Sequence, residues 1–94
     1  MAPDLHVAEV RFVPAGVEDA ERGLLGYVAC VVNGALKVDG LTLRRTLAGE
    51  LRLSWPSRTD RAGQRHPLVH PVSDEARREV ERQVYAALRL ETAP

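Results

Sequence analysis

Leu24-Leu-Gly-Tyr-Val-Ala-Cys-Val-Val-Asn33-Gly34-Ala-Leu-Lys-Val38 is the stretch on which the fold turns. Leu24 to Val32 is apolar and rich in β-branched residues, as a central strand requires. Asn33-Gly34 is the signature of a type I′ hairpin turn, whose two central residues both need positive φ. The chain then returns as a third strand from Ala35 to about Arg44, with a bend at Asp39-Gly40. Alternation puts Val28, Cys30 and Val32 on the inward face of the first arm.

Upstream, Leu5 to Val13 reads as a first strand, with Ala8, Val10 and Phe12 on one face and Val7, Glu9 and Arg11 on the other. Pro14 to Gly23 holds Glu18, Asp19, Glu21 and Arg22 and reads as a polar loop. Downstream, Ala48-Gly49 supplies a turn, and Glu50 to Trp55 alternates with Leu51, Leu53 and Trp55 inward. Pro56 ends that strand, and Leu68 to Val72 reads as an edge strand, where flanking prolines are tolerated. Ser73 is placed to cap a helix, with Asp74 and Glu75 at its positive end. Ala76, Val80, Val84, Ala87 and Leu88 follow at helical spacing as one apolar stripe, and Glu91 to Pro94 reads as a frayed tail. The expected architecture is α+β: an antiparallel meander of four to five strands with one C-terminal helix packed on it. All 94 residues form one domain, with a core from about residue 5 to 90.

Four aromatic residues, Phe12, Tyr27, Trp55 and Tyr85, leave a mostly aliphatic core. No apolar run approaches the ~20 residues of a membrane-spanning helix. The opening Met-Ala-Pro-Asp-Leu-His lacks the basic-then-apolar pattern of a secretory signal. The single cysteine, Cys30, leaves no internal disulfide to form. These features predict a cytoplasmic chain.

The net charge is zero, but it is unevenly spread. Residues 1–43 carry −3, residues 44–66 carry +4 and residues 67–94 carry −1. Twelve of the thirteen basic residues are arginine, the side chain suited to bidentate phosphate contacts. A biased genomic composition produces the same enrichment, since Ala and Leu are also abundant, so the two readings stand side by side. Within the positive segment, Ser57, Arg58, Arg61, Gln64 and Arg65 share a turn-rich stretch whose one carboxylate is Asp60. Such a stretch presents guanidinium groups to phosphates without burying charge. A second candidate surface is the helix, where Arg78, Arg82, Tyr85 and Arg89 fall on one side; a solvated face held by pairs such as Asp74–Arg78 and Arg77–Glu81 is the competing reading.

Other chemistry is poorly represented. Cys30 reads as a small buried hydrophobe. His66 and His70 would lie about 13 Å apart in an extended chain, too far to share one metal ion. The neighbouring Pro67 and Pro71 exclude the helix that would bring them together. His70 reads as a hydrogen-bonding group at the sheet-to-helix junction. No glycine-rich phosphate loop and no paired catalytic carboxylates appear, so neither an enzyme nor a cofactor or small-molecule substrate is expected.

Leu53-Ser-Trp55-Pro56-Ser57-Arg58, then Gly63, then His70-Pro71-Val72 and Ser73 resemble the stage V sporulation protein G (SpoVG) family of bacterial septation regulators. That family shows Met-Pro-Ser-Lys-Arg, a Gly-containing turn, His-Pro-Ile and a Ser-led helix. Val7-Ala-Glu-Val10-Arg11-Phe12 also resembles the family's opening Val-x-Asp-Val-Arg-Leu, and the resemblance runs over about residues 7–88. It implies a homodimeric α+β regulator that binds DNA and RNA and is linked to cell division and sporulation. The family's basic pair after Pro-Ser carries over only at Arg58, the second position being Thr59. The competing class is a homodimeric protein-interaction domain with no nucleic-acid partner.

Overall fold

The computed structural model describes residues 4–90, so the tail from Glu91 to Pro94 lies outside the described residues. The element order is β1 (Val7–Pro14), α1 (Val17–Glu21), β2 (Leu24–Val32), β3 (Leu36–Arg45), β4 (Leu51–Ser54), β5 (Ser57–Thr59), β6 (Arg65–Pro67) and α2 (Asp74–Ala87). Strands β1 to β4 form one antiparallel sheet in sequence order, and β5 pairs only with β6 as a separate hairpin. The fold is α+β, as the sequence predicts.

The turn chemistry holds at each corner. Asn33 and Gly34 take φ of 54° and 62°, and the Ala35 N–H closes the turn on the Val32 carbonyl at 3.1 Å. Between β3 and β4 the Gly49 N–H donates to the Thr46 carbonyl, with Gly49 at φ 85°. The bend at Asp39-Gly40 is a β-bulge: two residues of β3 stand opposite Ala29 between the pairs Val28–Leu41 and Cys30–Val38.

Strand β1 departs from the simple alternation. A second bulge lies between Ala8 and Arg11, with Glu9 in the left-handed region at φ 49°. The extra residue shifts the face assignment along the strand. Val7 is buried in the core, and Val10 packs against it although it lies three positions on. Val7 therefore joins Val10 on the core face, where alternation had set the two apart.

Val28, Cys30, Leu41, Leu43 and Leu53 form the sheet side of the core, and Val80, Val84 and Tyr85 form the helix side. Ser73 caps α2 as expected, its Oγ accepting from the Ala76 N–H at 3.1 Å. The apolar stripe runs through Ala76, Val80, Val84 and Leu88, but Ala87 is exposed and Tyr85 occupies the core instead. Trp55 is half-buried against the core.

Two further expectations are corrected. The polar loop after β1 contains a single helical turn, α1. Gly16 enters it in extended conformation, and Glu18 and Asp19 occupy its first turn, where the helix dipole favours carboxylates. None of its residues is buried, so it left no apolar periodicity to read. The edge strand expected over 68–72 is absent among the described residues, and Val72 is 93% exposed. Pairing instead occurs earlier, because the segment after Pro56 folds back on itself and the Leu68 N–H reaches the Pro56 carbonyl at 3.0 Å.

Candidate nucleic-acid interface

The arginine-rich segment is the β5–β6 hairpin. Asp60 organises its turn: Oδ1 accepts from the N–H groups of Ala62 and Gln64, both at 2.9 Å. Gly63 follows at φ 84°, a conformation suited to glycine. The other carboxylate oxygen lies 2.6 Å from His66 Nε2. The His66 hydrogen bond, followed by the backbone N–H groups, holds the Asp60 carboxyl below its usual range. The one acid in the segment is therefore occupied by the hairpin's own architecture.

The strand register divides the basic residues between two faces. Arg58 stands opposite His66, and Thr59 opposite Arg65. Since alternate residues of a strand point to opposite faces, Arg58 and His66 share one face while Ser57 and Arg65 share the other. The contacts agree: Arg65 donates from Nε at 3.3 Å and from Nη2 at 2.9 Å to Ser57 Oγ. Arg61 and Gln64 belong to the exposed turn. Ser57, Arg58, Arg61, Gln64 and Arg65 thus lie on one hairpin without converging on one point.

The Ser57–Arg65 face opens onto a cleft of about 410 Å³ shared with the main sheet. Thr42 and Arg44 from β3 and Ser54 from β4 complete its polar lining. Arg44 is exposed and makes no ion pair among the described residues. Thr42, Arg44 and Ser54 carry no sequence signal as site residues, because nothing local joins the sheet to the arginine segment. Tyr27 was legible, since the alternation that puts Val28 inward puts Tyr27 outward; it is 46% exposed.

The helix candidates separate as well. Arg82 is paired with Glu79, and this contact, with a hydrogen bond from Gln83, keeps the Glu79 carboxyl low. Arg78 is exposed. Tyr85 is buried, its hydroxyl donating to Glu81 Oε2 at 3.1 Å, so it is no part of an exposed face. Arg77 pairs with Glu81 as expected, but Asp74 pairs with Arg77 rather than Arg78.

Cys30 is buried on the core face, and burial pushes its thiol up. The His70 Nδ1 position is hydrogen-bonded to the Pro71 carbonyl at 2.9 Å, at the junction leading into α2. No group of three or more His, Cys, Asp or Glu side chains converges among the described residues. No described helix is long and apolar enough to cross a membrane. An apolar groove of about 240 Å³ runs between α2 and the sheet, bordered by Leu36, Trp55, Val69 and Val72. Comparisons with protein-family models and with curated proteins found no match to this chain.

Proposed function

We propose that this chain is a non-enzymatic, cytoplasmic nucleic-acid-binding regulator similar to the SpoVG family, active as a homodimer and connected with septation or sporulation control. The observation that carries the reading is the occupied state of Asp60. Its carboxylate serves the turn and His66, leaving Arg58 and Arg61 exposed on a hairpin whose one acid is already engaged. Phosphates neutralised by such side chains release counterions, so affinity falls with salt. Dimerisation brings two hairpins to one ligand, raising the affinity of a chain with no net charge through avidity. The apolar residues along the α2 groove are of the kind that homodimers bury.

The test is a mobility shift with mixed-sequence DNA and RNA at low salt. Replacing Arg58, Arg61 and Arg65 together by alanine is expected to abolish the shift. Unchanged binding by the triple variant overturns the site assignment. Purification behaviour separates the competing class: a nucleic-acid binder leaves a low-salt lysate with bound nucleic acid and sheds it in high salt. A protein-interaction dimer emerges free of nucleic acid under both conditions.

A further inference from the structure

Helix α2 packs on one face of the four-stranded sheet, and on the other face Val13 and Tyr27 are 62% and 46% exposed among the described residues. The register fixes what that other face presents. Val13, Tyr27, Thr42 and Ser54 are successive cross-strand partners from β1 to β4, so they form one row. Two residues further along β3, Arg44 is paired with Arg52 in the next row. In the other direction Arg11 stands opposite Ala29, and Lys37 opposite Val31. A half-exposed aromatic ring therefore sits beside a row carrying Arg44 and Arg52, while on its other side Arg11 and Lys37 flank the bulge that places Asp39 opposite Ala29.

The two cationic sides are unequal. Arg11 and Lys37 share a concavity with Glu9, whose carboxylate offsets them. On the β3–β4 side no carboxylate among the described residues lines the cleft. Arg44, Arg65, Thr42, Ser54 and Ser57 line it, beside Gly40, Trp55 and Pro56. Arg65 is already oriented by its two donations to Ser57, which lowers the ordering cost of engaging an anion. Arginine forks with hydroxyl donors match the oxygens of a phosphodiester.

We infer that this open sheet face binds single-stranded nucleic acid, with a base stacked on Tyr27 and the neighbouring phosphate held in the Arg44–Arg65 cleft. The inference rests on the nucleic-acid reading above and narrows it to single strands. A duplex keeps its bases stacked on one another and offers no free π-face to a tyrosine on an open sheet. Stacking accepts any base, so little sequence preference follows. RNA and DNA single strands share this chemistry and are distinguished by running both.

The experiment is fluorescence anisotropy with labelled mixed-sequence single strands of RNA and of DNA, and with the corresponding DNA duplex. Single strands are expected to bind at least tenfold tighter than duplex. Tyr27→Ala is expected to weaken single-strand binding about tenfold, within the range of base–aromatic stacking. Tyr27→Phe, which keeps the ring, retains the affinity. Arg44→Ala and Arg65→Ala each reduce the salt slope by about one. Equal binding of duplex and single strand, unaffected by Tyr27→Ala, overturns the open-face site while leaving nucleic-acid binding intact. Absence of binding to every probe overturns both. A change of oligomeric state in Tyr27→Ala also overturns it, because the face would then belong to the dimer contact.

Discussion

Glu81 and Gln83, two residues apart on α2, reach opposite edges of the same sheet. Glu81 Oε2 accepts from the Leu53 N–H of β4 at 3.2 Å. Gln83 accepts from the Val7 N–H of β1 at 2.6 Å and donates to the Leu5 carbonyl at 2.8 Å. Since β1 and β4 are the edge strands, one helix satisfies free backbone groups on both. These contacts fix the helix on one face of the sheet.

Glu81 is the more demanding of the two, being 8% exposed and also accepting from Arg77 and the Tyr85 hydroxyl. Glu81→Ala leaves a backbone N–H and a phenol without their partner and leaves the Arg77 guanidinium only its longer contact with Asp74. The expected loss is about 2–4 kcal/mol, measured as a shift in urea midpoint at unchanged m-value. Gln83→Ala, in a half-buried setting, is expected to cost about 1–2 kcal/mol. Equal losses for the two would contradict this ordering.

Arg89 stands where α2 ends. The Leu90 N–H reaches the Tyr85 carbonyl at 2.9 Å and the Arg89 N–H the Ala86 carbonyl at 3.1 Å, the two bonds of a Schellman motif. That motif puts Arg89 in the left-handed region at φ 56°, where glycine carries no Cβ penalty. Arg89→Gly is expected to stabilise the protein by up to about 1 kcal/mol, read as a raised thermal midpoint. A lowered midpoint counts against this account of the helix end.

The sequence supplied the meander, the Asn33-Gly34 turn and the Ser73 cap because each rests on local chemistry. The bulge at Glu9 was not legible: no glycine marks it, and one extra residue reverses the alternation that follows. The β5–β6 hairpin was hidden for a related reason. Its strands are three residues each, too short for a periodic pattern, and the segment 68–72 nearby, with Leu68, Val69 and Val72, mimics a strand. Ser57 and Arg65 were legible as candidates. Their junction with Arg44 depends on how the hairpin lies against the sheet, which no local pattern encodes.

Tyr85 gives the structure a titratable reporter of its core. Burial, then the adjacent Glu81 charge and the hydrogen bond to it, push the phenol well above its usual range. A folded-state pKa above the unfolded one means the native protein holds the proton more tightly. That stabilisation is complete below about pH 10, the unfolded value, and is lost as pH rises toward the folded value. In a Tyr27→Phe background, tyrosinate absorbance should therefore appear together with unfolding. Ionisation ahead of unfolding would show that the hydroxyl is accessible.

The Asp60 carboxylate ties acid behaviour to the candidate interface, and its sign is opposite. Its pKa is held low by His66 first and by the turn N–H groups after it. A depressed folded value contributes stability above the unfolded pKa of about 4 and loses it as pH falls through the folded value. Because Asp60 joins only groups of the hairpin, the loss is local: the Ala62 and Gln64 amides lose their acceptor while the core stays closed. Hydrogen exchange below pH 4 should accelerate at those two amides before it does at Val28 or Leu41. Asp60→Asn keeps one acceptor oxygen but removes the charge beside His66, so it should flatten the pH dependence and leave the turn largely formed. It should also leave the hairpin one unit more positive, and single-strand affinity at low salt should rise rather than fall. A fall would mean that Asp60 orients the arginines more than its charge opposes the phosphate.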